Sequence, residues 1–168
     1  AGVSYQVNIT GTQLLGTGAS GLLGFANETF VAWIKMTDVS FQVIAMSTYV
    51  AGTSGDYLAV NAGKLYWAKN SGAVGYLGNT TLSINTWYHI AFTWGAGGVK
   101  FYLNGQPDGT GADTGTFATN GEQTEIGNWA VAPSYPIGRI DETRIYSRAL
   151  SAAEILSDYN SGSGTYGG

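Results

Sequence analysis

The chain has one histidine, His89, and no cysteine. Any Ser-His-Asp arrangement therefore has a single possible centre, and thiolate nucleophiles and thiolate metal ligands are excluded. No G-x-S-x-G string presents a serine on a nucleophile elbow. His89 stands in TWYHIAFTW, flanked by apolar strand-forming residues, and reads as a packing or hydrogen-bonding side chain. Carboxylate chemistry is equally poorly provided for. A retaining glycosidase needs two carboxyls about 5 Å apart. Asp141 and Glu142 are adjacent and point to opposite faces of a strand, and Glu122 and Glu125 differ in parity beside a turn. An enzyme is not expected.

The aromatic residues suggest binding instead. The chain carries 5 Trp and 11 Tyr against only 11% charged residues. Aromatic faces stack on the C–H faces of sugars, although such rings also fill ordinary sandwich cores. Trp129 opens the loop WAVAPSYP, which ends in Tyr135-Pro136. An aromatic in a Pro-containing loop on a rigid scaffold makes a sugar platform. Trp67 in LYWAKN and Tyr76 in the Gly-flanked GYLG are further candidates. Asp56, Asn70, Asn128 and Asp108 are polar neighbours able to bond hydroxyls.

These residues need a frame. A length of 168 residues fits one domain with a sizeable core. The formal charge of −4 and seven scattered Lys+Arg argue against nucleic acid, which needs a clustered basic face. No window approaches the roughly 18 apolar residues of a membrane span. No leader precedes Ala1, which reads as a mature chain or an excised module.

Short strand-forming runs separated by Gly, Asn, Asp and Ser recur at Val3–Ile9, Thr29–Met36, Phe41–Ser47, Tyr57–Val60, Lys64–Lys69, Trp87–Trp94, Val99–Leu103, Gln123–Ile126 and Ile137–Tyr146. Only Ser151–Tyr159 reads as helix, opened by an S-x-x-E capping box from Ser151 to Glu154. The pattern predicts an all-β fold: a two-sheet antiparallel β-sandwich of jelly-roll type with one short C-terminal helix. The sandwich should occupy residues 1–160, and the Gly/Ser-rich stretch 161–168 reads as a flexible tail or linker.

Several residue groups then align with one family. Thr29-Phe30-Val31-Ala32-Trp33-Ile34-Lys35, Asn85-Thr86-Trp87-Tyr88-His89-Ile90-Ala91, Phe101-Tyr102-Leu103-Asn104-Gly105, Glu125-Ile126-Gly127-Asn128, and Gly138-Arg139-Ile140-Asp141-Glu142 with Arg148-Ala149-Leu150-Ser151 occur in family order. From about Val3 to Tyr159 the chain resembles the laminin-G-like, concanavalin A-like jelly rolls. The resemblance marks Trp33 and Trp87 as structural. It implies a carbohydrate-binding or adhesion module, extracellular, beside an attached catalytic or adhesive domain.

It also implies a structural calcium. Asp141 is the candidate ligand, because the apolar alternation slips there from Ile140 to Thr143 and Ile145, suggesting a β-bulge that turns a carboxylate inward. Asn27 is the candidate partner from the N-terminal part. The expected function is non-catalytic, lectin-like targeting of a polysaccharide or glycan by aromatic stacking through Trp129, Tyr135, Trp67 and Tyr76. A structural or adhesive surface domain that binds protein is the alternative, and a polysaccharide-degrading enzyme with an unfamiliar site is the second.

Overall fold

The computed structural model describes residues 7–9, 15–20, 23, 25–47, 55–69, 72–115, 117, 123–127 and 138–166. In chain order they form β1 (Val7–Ile9), β2 (Leu15–Ser20), β3 (Glu28–Lys35), β4 (Gln42–Ser47), β5 (Asp56–Asn61), β6 (Lys64–Lys69), β7 (Val74–Leu77), β8 (Trp87–Trp94), β9 (Val99–Leu103), β10 (Gln106–Gly111), β11 (Gln123–Ile126), β12 (Arg139–Tyr146) and α1 (Ala152–Tyr166). Sheet A runs β1-β12-β3-β8-β9-β10 and sheet B runs β2-β11-β4-β5-β6-β7. Neighbouring strands pair antiparallel throughout. This is the expected jelly-roll sandwich.

Alternation assigns each side chain a face. In β3, Phe30, Ala32 and Ile34 enter the core between the sheets, and in β8 Ile90, Phe92 and Trp94 do so. Sheet B answers with Ile44, Leu58, Val60, Leu65 and Trp67. The centre of this core is a three-ring stack. Phe117 lies 5.1 Å from Trp67 and 5.0 Å from Trp94, with planes within 30° of parallel at both contacts (25° and 29°).

Two hairpins are closed by tight turns. Ala62 and Gly63 (φ 49° and 74°) join β5 to β6, and Asn104 and Gly105 (φ 48° and 75°) join β9 to β10. Two successive positive φ angles match the right-handed twist of the flanking strands. The predicted bulge in β12 is present: the register with β3 shifts between Asp141 and Arg144, and Glu142 has φ 50°.

Three strands lie where the sequence shows none: β2 (LGTGAS), β7 (VGYL) and β10 (QPDGTG). Their glycines, and Pro107 in β10, depress strand propensity, and pairing along the sheet overrides it. β2 pairs only with β11, while β7 and β10 are edge strands of their sheets, the position where Pro is tolerated.

The helix is longer than its sequence suggests. It continues past Tyr159 through part of the stretch read as a linker, to Tyr166. The reason lies beneath it. α1 covers the outer face of sheet A, where Val31, Ala91, Tyr102, Leu150 and Ile155 form a second apolar cluster. Gly162 allows the close approach, because a Cβ there would lie 2.6 Å from Trp33 Nε1. The capping box forms as predicted, with Glu154 Oε2 accepting from Ser151 N at 2.8 Å and Glu154 N donating to Ser151 Oγ at 3.3 Å. Thr29 ties the approach to the helix down. Its hydroxyl donates to Arg148 O at 2.8 Å and accepts from Leu150 N at 2.8 Å.

Candidate functional site

With sheet A capped by α1, the outer face of sheet B is the side to consider for a ligand. Register places Val43 and Met46 of β4, Tyr57 and Ala59 of β5, and Tyr66 and Ala68 of β6 on that face. They form a third apolar cluster of buried residues, Tyr57 among them at 6% exposed, and the half-buried Phe41 and Tyr66 pack against it as its accessible edges. Phe41 meets Tyr57 edge-on at 5.4 Å between centroids, and Tyr57 lies 6.0 Å from Tyr66. The three rings make a row that crosses strands.

Small residues let the row lie low. Ala59 pairs with Tyr66, and Ala68 pairs with Tyr57 on one side and Gly75 on the other. The Tyr66 ring rests over Gly75, where a Cβ would fall within 2.7 Å of its Cε2 and Cζ atoms. Both tyrosine hydroxyls converge beside Gly72: a Cβ at that position would be 3.0 Å from Tyr57 Oη and 3.4 Å from Tyr66 Oη. Burial, with the adjacent Tyr66 phenol adding to it, pushes the Tyr57 hydroxyl up to about 12. Tyr57 therefore stays a neutral donor and acceptor across the physiological range. Apolar rings beside paired hydroxyls suit a ligand with one apolar face and many hydroxyls.

The sequence singled out other aromatics. Trp67 is 0% exposed at the centre of the core stack, so its faces are taken by Phe117 and Tyr76 and it offers no platform. Tyr76 is half-buried and points to the core side of β7. Its ring lies against Trp67, at 6.0 Å between centroids, and Gly111, whose Cβ would be 2.6 Å from its Cδ1. It seals the sandwich edge between β7 and β10. Trp129 and Tyr135 lie outside the described residues.

Asp141 and Asn27 do not come together. Asp141 pairs with Trp33 and so lies on the outer face of sheet A, not turned inward, and its Oδ1 accepts from Glu142 N at 2.8 Å. Asn27 lies six residues before Trp33, the register partner of Asp141, and its Oδ1 accepts from Ala96 N at 3.2 Å. At about 3.3 Å per strand residue the two are roughly 20 Å apart, too far for one ion. Among the described residues, no three His, Cys, Asp or Glu side chains gather to hold a metal. The two residues do not fit a shared calcium.

His89 packs as expected. It is 0% exposed under α1, with Nε2 3.1 Å from Asp158 Oδ2. Trp33 and Tyr159 flank its ring at 5.4 and 5.7 Å. Arg144 donates to Asp158 at 2.7 Å and also pairs with Glu142.

The row Phe41–Tyr57–Tyr66 escaped the sequence reading because tyrosine at alternate strand positions is common in plain cores. The available signal was the Ala and Gly at 59, 68 and 75, a strip of missing side chains beside the rings.

Known proteins share this frame. No curated protein matches the chain, but many solved structures do. The CBM40 domain of a Ruminococcus gnavus IT-sialidase, bound to α2,3 sialyllactose, is 14% identical, with a TM-score of 0.72 over 94% of this chain and 98% of its own. Domain 4 of AbnA, a GH43 extracellular arabinanase from Geobacillus stearothermophilus in complex with arabinotriose, is 22% identical, with a TM-score of 0.62 over 82% of this chain and 68% of that one. The binding domain of Paraclostridial Mosquitocidal Protein 1 is 17% identical, with a TM-score of 0.63 over 82% of this chain; the match spans 37% of that chain's length. At these identities the likeness is one of fold. A family model matches residues 10–156, and on that match the chain belongs to the concanavalin A-like lectin/glucanases superfamily.

Proposed function

We propose that this chain is a non-catalytic, extracellular carbohydrate-binding module that holds a polysaccharide or glycan by aromatic stacking and delivers an attached domain to it. The observation that carries the reading is the pair of half-buried rings Phe41 and Tyr66 on either side of the buried Tyr57, with two tyrosine hydroxyls converging beside Gly72. A pyranose or furanose ring stacks its C–H face on such a row while its hydroxyls bond the phenols. Trp129 and Tyr135, which follow β11 in the sequence, belong to the same proposal.

The related sandwiches that bind sialyllactose and arabinotriose support this class of ligand, and both are parts of larger proteins. Affinity for one site should be modest and rise with avidity when modules are joined. The test is calorimetric titration against a glycan panel, repeated with Tyr66→Ala and Trp129→Ala. Binding lost in either variant supports the platform, and binding unchanged in both refutes it.

A further inference from the structure

On the other side of the sandwich, a cleft of about 320 Å³ opens between the end of β12 and α1. We propose that this cleft is a second, separate ligand site, built for one or two rings of a neutral sugar. It does not depend on the sheet B face.

The helix divides its labour by spacing. Ile155, Tyr159 and Gly162 recur at the 3.6-residue period and pack on sheet A: Ile155 is 0% exposed, Tyr159 stacks on Trp33 at 5.7 Å, and Gly162 abuts the Trp33 indole. One step round, Glu154, Ser157, Asp158 and Ser161 follow the same period and line the cleft. Two of the four are serines, whose short side chains leave the space open. Tyr146 and Arg148 form the facing wall. Burial pushes the Tyr146 hydroxyl above the ordinary tyrosine value, so it stays protonated.

Charge selects the ligand class. Both oxygens of Glu154 are held by Arg148, at 2.7 and 3.1 Å. Asp158 receives Arg144 at 2.7 Å and faces His89 Nε2 at 3.1 Å. Arg148 is committed to Glu154, and Arg144 is shared between Asp158 and Glu142, so an anion entering the cleft finds no free guanidinium and a cation finds carboxylates already held in ion pairs. A polyhydroxylated neutral ligand instead finds hydroxyls, carboxylate lone pairs and an aromatic wall. The volume lies at the lower end of the ligand-pocket range of about 300–1,000 Å³, the size for a mono- or disaccharide rather than a long chain. A second site on the opposite side would make one module bivalent toward a branched or packed polysaccharide.

The test is a 15N–1H NMR titration of the whole chain with glucose, galactose, xylose, arabinose, cellobiose and maltose, each at millimolar concentration, and in parallel with inorganic phosphate and methylammonium. At least one neutral sugar should shift the amides from Tyr146 to Ser161 saturably. Ser157→Trp, at an exposed helix position, fills the cleft and should abolish those shifts while the rest of the spectrum keeps its dispersion. Tyr146→Leu should weaken them, and Tyr66→Ala should leave them intact. Saturable shifts with the ions alone, shifts indifferent to Ser157→Trp, or no shifts with any probe would overturn the assignment, whatever happens at the sheet B face.

Discussion

Tyr57 and Tyr66 sit on adjacent strands of sheet B with ring centroids 6.0 Å apart and planes tilted by 56°. They are diagonal neighbours, because Tyr57 pairs with Ala68 and Tyr66 with Ala59. That offset staggers the rings, and their hydroxyls meet beside Gly72.

On the proposed function, Gly75 acts without any side chain, by leaving room for the Tyr66 ring. Gly75→Ala would place a methyl within 2.7 Å of the Tyr66 ring, which must then swing off the face. Glycan affinity should fall by about tenfold, or about 1.4 kcal/mol. The melting temperature should hardly change, since alanine costs an edge strand nothing in conformational entropy. Calorimetry and a thermal melt on the same sample check both halves, and unchanged affinity would contradict the role given to Tyr66.

How much of this was legible beforehand follows from the physics of each residue. Alternation exposed β3 and β8 directly, since Phe30, Ala32 and Ile34, and Ile90, Phe92 and Trp94, can share a face only in a strand. The slip at Asp141 was equally readable. Trp67 misled because a tryptophan in a hairpin strand looks the same in sequence whether its neighbour is solvent or Phe117, and only the packing of the two sheets decides. The extension of α1 was hidden because Gly162 lowers helix propensity while enabling the contact with Trp33 that holds the helix down.

Glu28 predicts a pH dependence. It is 0% exposed, and burial raises it from 4.5 to about 9, with the hydrogen bond from Phe25 N opposing. The folded chain therefore keeps a proton that the unfolded chain releases above its ordinary carboxylate value. Stability from this group is full below pH 4.5 and is lost as pH rises toward 9. Glu28→Gln should raise Tm at pH 8 by a few degrees, at about 2–4 °C per kcal/mol for a domain this size. The gain should vanish near pH 4, and parallel profiles for the two proteins would contradict the protonated state.

His89 joins α1 to sheet A through Asp158, Trp33 and Tyr159. His89→Ala opens a cavity and removes a partner of Asp158, and should cost about 2–4 kcal/mol. A chemical melt gives the loss, and limited proteolysis should now cut first within α1. Wild-type stability in this variant would show that the helix is held by other contacts.

The separation of Asn27 and Asp141 predicts that no single ion ties them. Melts with calcium and with EDTA should respond identically in the wild type and in Asn27→Ala. Equal loss of a calcium shift in Asn27→Ala and in Asp141→Ala would contradict the distance.

The most direct test of the central claim is glycan binding at the sheet B face. Calorimetric titration should use a panel that includes arabinotriose and α2,3-sialyllactose, the ligands held by two related sandwiches. The wild-type chain should bind at least one member, and Tyr66→Ala should weaken that binding about tenfold while still melting cooperatively as a folded protein. Binding to none of the panel, or full affinity in both Tyr66→Ala and Phe41→Ala, would contradict the account.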